Sequence, residues 1–131
     1  MNETDFDKVV SAWLEKSEDD LATAKTLLEN RRFNWSVFIC QQALEKCLKA
    51  GYVKKNKEVP PYIHKLERLS ILELDPPEEI LNAIIEIDKY YLATRYPTYK
   101  EAVNIADETT AKLIFDHTKA SYKWLRLALK L

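Results

Sequence analysis

Apolar residues recur along this chain at three- and four-residue steps, and polar or proline-rich stretches break the pattern at a few places. Phe6, Val10, Trp13, Ser17, Leu21, Ala24 and Leu28 form one stripe, interrupted by the serine, and predict a helix over about residues 5–29. Asn30-Arg31-Arg32 is a short polar connection. Val37, Cys40, Leu44, Cys47 and Leu48 predict a second helix over about 34–55, with Gly51 continuing the same face. A mid-helix glycine costs up to about 1 kcal/mol relative to alanine. Either a close helix–helix approach or fraying toward the lysine-rich end accounts for it.

Residues 55–62 carry Pro60-Pro61 and read as a loop, followed by a short helix at roughly 63–72. Asp75-Pro76-Pro77-Glu78-Glu79 is a start signal, with a capping acid, prolines in or before the first turn, and glutamates at the positive dipole end. It opens a fourth helix over about 77–94, which ends near Arg95 because a residue before proline disfavours the α region. Residues 96–105 form a loop or frayed turn. A last helix spans about 107–129, with Leu113, Ile114, His117, Ala120, Trp124, Leu127 and Leu131 on its expected inner side. The prediction is an all-α, antiparallel bundle of four long helices plus one short one, in a single domain over residues 1–131.

Composition narrows the options further. One glycine in 131 residues leaves little with which to build hairpin turns or a glycine-rich phosphate loop. A net charge of -1 argues against non-specific nucleic-acid binding by the whole surface, though not against a local site. Cys40 and Cys47, seven residues apart on one helix, stand about 10 Å from each other at helical rise, which forbids a disulfide between them. With only two distant histidines there is no zinc spacing, and no metal or cofactor is expected. The polar, acidic start and the lack of a membrane-length apolar run give a cytoplasmic location as the default expectation.

Candidate chemistry centres on Asp88, Tyr91 and Arg95, which share one helix face above the apolar residues Ile80, Ile84 and Ile87. A cation at the end of an inward stripe needs a partner: Asp88, a turn carbonyl, or the phosphate of a ligand. Tyr90, Tyr91, Tyr96 and Tyr99 supply aromatic surfaces beside the guanidinium, suited to a nucleobase next to a phosphate. His64 is a further candidate, with a structural role at a helix start favoured, and His117 reads as a core histidine. On the second helix Phe38, Gln42, Glu45, Lys46, Lys49 and Val53 cluster opposite the core stripe and form a candidate subunit interface. No nucleophile–histidine–acid set or paired-histidine metal helix is present in the sequence.

Several segments resemble the HEPN domain family, the helical bundles named for nucleotide binding in higher eukaryotes and prokaryotes. Trp13-Leu14 and Asp20-Leu21-Ala22-Thr23-Ala24 look like the family's first helix. Gln42-Ala43-Leu44-Glu45-Lys46-Cys47-Leu48-Lys49-Ala50 is similar to its Gln-Ala-x-Glu-Lys-x-x-Lys-Ala pattern, and His64-Lys65-Leu66 and Arg95-Tyr96-Pro97 follow in order. The resemblance implies a homodimer acting beside a minimal nucleotidyltransferase, a toxin–antitoxin-like pairing, and contact with a nucleotide or RNA. Many members are ribonucleases using arginine, four to six residues, then histidine. Here the matching positions after Arg95 are Lys100, Glu101 and Ala102, so only Arg95 carries over as a candidate catalytic residue. Arginine can stabilise a phosphorane but is a poor proton donor or acceptor near neutral pH. A binding and assembly module therefore leads. A metal-independent ribonuclease using Arg95 with a non-standard base and a purely structural bundle are the alternatives.

Overall fold

In a computed structural model of the protein, the described residues are 2–60, 74–95 and 107–131, with the backbone alone described for 92–95. Among them the structure is helical without strands: α1 (Glu3–Glu29), α2 (Phe33–Asn56), α3 (Glu78–Arg95) and α4 (Glu108–Ala128). The short helix expected at 63–72 and the connection at 96–105 lie outside the described residues.

Local chemistry explains the boundaries. Asn2 and Asp5 form a reciprocal capping box at the start of α1, with bonds of 3.0 and 3.2 Å. Asp107 accepts from the Thr110 amide at 2.7 Å to open α4, which holds its carboxyl below the usual carboxylate range. At α3 the expected capping role of Asp75 is corrected. The Pro77 carbonyl accepts from the Ile80 and Leu81 amides, while Asp75 lies two residues outside at a left-handed φ of 51°. Arg31, Lys57 and Lys130 take the same left-handed conformation just after α1, α2 and α4, where a glycine commonly sits.

The helices alternate in direction. Phe38 stacks on Tyr91 and Gln41 bonds Asp88, so α2 and α3 run antiparallel. Arg31 meets Glu108 and Arg126 meets Glu18, which makes α1 and α4 antiparallel as well. The Cys40 thiol bonds Thr118 and Gly51 abuts Leu129, so α2 and α4 are parallel. This up-down-up-down bundle places the end of α3 beside the starts of α2 and α4.

Helix α2 is the centre of the molecule. Val37, Cys40, Leu44, Cys47, Leu48 and Gly51 are buried, matching the expected core stripe. A Cβ on Gly51 would lie 2.6 Å from a Leu129 methyl carbon, so close approach explains the glycine and fraying does not. The expected outer face of α2 is corrected: Val53, Glu45 and Lys49 are only 1%, 2% and 8% exposed. Ser17, which interrupts the stripe of α1 in sequence, is buried and donates to the Ala43 carbonyl at 2.8 Å. Ser36 does the converse from α2, donating to the Ala24 carbonyl, also at 2.8 Å. These two hydroxyls let α1 and α2 pack closely without stranding a polar group.

The inner face of α4 is also corrected. Ala111, Ile114, Phe115, Thr118, Ser121 and Leu125 are buried, whereas Leu113 is 49% and Leu127 73% exposed. The helix is rotated so that small polar residues meet α2. Thr118 satisfies its hydroxyl on the Ile114 carbonyl at 2.7 Å and so tolerates the core. Ile114 alone of the larger expected inner residues lies fully inside.

Candidate functional site

The seam between α2 and α3 carries polar groups through an otherwise apolar core. Gln42 Nε2 donates to Gln41 Oε1 at 2.7 Å, and Gln41 Nε2 donates to Asp88 Oδ1 at 3.2 Å. Burial of Gln41 makes these bonds necessary, since an unpaired amide inside a core costs about 1–3 kcal/mol. One turn further on, Phe38 stacks on the buried ring of Tyr91 with centroids 5.4 Å apart. Trp35 meets Phe38 edge-on at 5.9 Å and is itself 61% exposed. An aromatic ladder thus climbs from Tyr91 to the surface.

The Gln41–Asp88 and Phe38–Tyr91 pairs share one antiparallel register. One further turn brings the last residue of α3, Arg95, level with the first turn of α2 around Asn34. That first turn has no side-chain cap and no acidic residue, so its free amides give a positive end. Arg31, Arg32, Phe33, Asn34 and Trp35 line a shallow recess of about 320 Å³ there. Arg31 bonds Glu108 at 3.2 Å and lies 5.2 Å from the Phe33 ring centroid, which orders the rim of the recess. Burial, helped by Glu86 and Asp107, raises the Tyr90 phenol above its usual value. Backbone amides, guanidinium groups and an open indole at one end are suited to phosphate and base recognition.

The expected site residues divide accordingly. Asp88 and Tyr91 are brought together on the α2-facing side of α3, and Arg95 closes the same helix. An Asp88–Arg95 contact lies outside the described side chains, as do Tyr96, Tyr99 and His64. Trp35, Arg31 and Arg32 were not singled out from the sequence. The available signal was an uncapped helix start flanked by two arginines and an aromatic residue.

The candidate interface on α2 does not form a free face. Phe38 is occupied by Tyr91 and Trp35, and Gln42 by Gln41. Lys46 bonds Asp20 at 2.5 Å. Glu45 and Lys49 pair at 3.8 Å, with the ammonium 5.3 Å from the Trp13 ring centroid. Charged positions that resemble family signatures are here internal struts between α2 and α1. His117 is half-buried with Nδ1 enclosed and unbonded, so the expectation of a satisfied core histidine is corrected as well. No group of His, Cys, Asp or Glu among the described residues has the geometry of a metal site. No helix among them is long and apolar enough to cross a membrane.

Comparison with known proteins follows the same lines. The family model described as HEPN domain matches residues 10–128. The crystal structure of TT1696 from Thermus thermophilus is similar at a TM-score of 0.78 and 26% identity, covering 91% of this chain and 97% of that one. ST0689, an archaeal HEPN homologue, superimposes at a TM-score of 0.73 over 92% of this chain and 97% of its own, and at 24% identity it bears on fold alone. No curated protein matches the chain.

Proposed function

Because the chain belongs to the HEPN domain family, we propose that it is a nucleotide- or RNA-binding module, built as a cytoplasmic homodimer that pairs with a minimal nucleotidyltransferase in a toxin–antitoxin-like system. One observation carries the binding part: the uncapped start of α2, its two arginines, the open indole of Trp35 and the Arg95 end of α3 converge at one end of the bundle. Phosphate would take the amides and guanidinium groups, and a base would stack on Trp35. The net charge of -1 favours such a local site over a diffuse one. Catalysis is the weaker reading, because Lys100, Glu101 and Ala102 stand where the family's ribonucleases place histidine.

Titration of labelled single-stranded RNA by anisotropy tests the proposal. Arg95→Ala should weaken binding by about tenfold or more, as expected for losing a charge-assisted phosphate bond, without a change in helical dichroism. RNA cleavage that persists in chelator and vanishes in Arg95→Ala would establish the ribonuclease reading instead. If Arg95→Ala lowers the melting temperature while leaving RNA binding intact, the arginine is structural and the placement of the site at the Arg95 end fails. No RNA binding by the wild type overturns the binding proposal. Co-purification with the product of a neighbouring nucleotidyltransferase gene tests the pairing.

A further inference from the structure

Helix α4 carries two apolar stripes; among the described residues one is buried in the bundle, while the other touches the core through Trp124 and leaves its leucines exposed. The first, containing Ala111, Ile114, Thr118 and Leu125, is buried in the bundle. The second, Leu113, His117, Ala120, Trp124 and Leu127, advances by four, three, four and three residues. That is the spacing of a helix-to-helix seam, repeated over two heptads and about 21 Å of helix at 1.5 Å per residue. Leu113 and Leu127 are 49% and 73% exposed, Ala120 is exposed, and His117 and Trp124 are half-buried.

We infer that this stripe is the seam of a homodimer, in which α4 packs antiparallel against α4 of a second copy. The inference rests on the dimeric part of the proposal above and says which face forms the dimer. Self-complementarity singles out a second copy as the occupant. With the two-fold axis between His117 and Ala120, each Leu113 lies opposite the second copy's Trp124 and each His117 opposite its Ala120. The small Ala120 permits close approach beside the axis. On the solvent flank of the seam, the same register sets Asp116 beside the second copy's Lys123, twice by symmetry. Asp116 is 69% exposed in its side chain, and its contact within the chain is a loose 3.6 Å pair with Lys119. A parallel arrangement would set Asp116 beside Ser121 and forgo the charge match.

Sedimentation of the full chain at micromolar concentration tests this directly. The wild type should be a dimer. Leu113→Asp and Ala120→Glu, both at exposed positions of one helix, should be monomers with unchanged helical dichroism. Asp116→Lys should weaken association by roughly tenfold, and adding Lys123→Asp should restore it. A monomeric wild type would overturn both the dimer and its seam. A wild-type dimer that survives Leu113→Asp and Ala120→Glu would keep the dimer and overturn the seam, as would a failure of the charge swap to restore association.

Discussion

The thiols of Cys40 and Cys47 show how much the core of α2 can withhold from water. Burial pushes Cys40 up to about 11 against partial relief from the Thr118 hydroxyl, and Cys47 up to about 12 against the nearby Arg126 charge. In the unfolded chain both should ionise near the ordinary value of 9.0. From about pH 9 to 11 the unfolded state therefore loses protons that the folded state keeps, and stability falls as pH rises. Urea midpoints measured between pH 8 and about 10.5 should drop less steeply in a Cys40→Ala, Cys47→Ala double variant than in the wild type. Equal slopes would mean that the thiols are not as enclosed as the packing indicates. Their burial was legible from the helical spacing. The roles of Ser17 and Ser36 were not, because a serine in an apolar stripe gives no sign of which carbonyl a neighbouring helix will offer.

Helix ends and faces differ in how openly the sequence displays them. The end of α3 near Arg95 followed from the Tyr96-Pro97 step, whereas α1 starts two residues before the expected residue 5, at the Asn2–Asp5 capping box. The ends of α1, α2 and α4 are less typical, since Arg31, Lys57 and Lys130 adopt φ values of 61°, 54° and 56°. A side chain in that region carries a steric cost that glycine avoids. Lys57→Gly should raise stability by up to about 1 kcal/mol, because the Lys57–Glu3 pair it removes is solvent-exposed and worth little. A lower urea midpoint in that variant would show the lysine contributes more than its conformation costs. The inward face of α4 was misread for a different reason: two apolar stripes compete on one helix, and the larger residues lie on the outer one. Hydrophobic periodicity reports that a stripe will be covered, not whether its own chain covers it. The back face of α2 was misread in the opposite sense. Glu45, Lys46 and Lys49 look like solvent-facing charges in sequence, yet α1 meets them with Trp13 and Asp20. A helix packed by three neighbours has no back face to spare.

At the scale of the whole molecule, the bundle has a closed middle and one chemically distinctive end. The polar seam of Gln42, Gln41 and Asp88 and the aromatic ladder of Tyr91, Phe38 and Trp35 lead through the middle to that end. The all-α architecture was legible from periodicity and the single glycine. The residues at the same end of the bundle as Arg95 were not, because Arg31, Arg32 and Trp35 lie some sixty residues before it and share that end only through the antiparallel register of α2 and α3. The proposed binding of RNA at this end requires a base stacked on the open indole. In a Trp13→Phe, Trp124→Phe background, the remaining Trp35 fluorescence should be quenched by single-stranded RNA in step with binding followed by anisotropy. RNA that binds without quenching Trp35, or no binding at all, would contradict it.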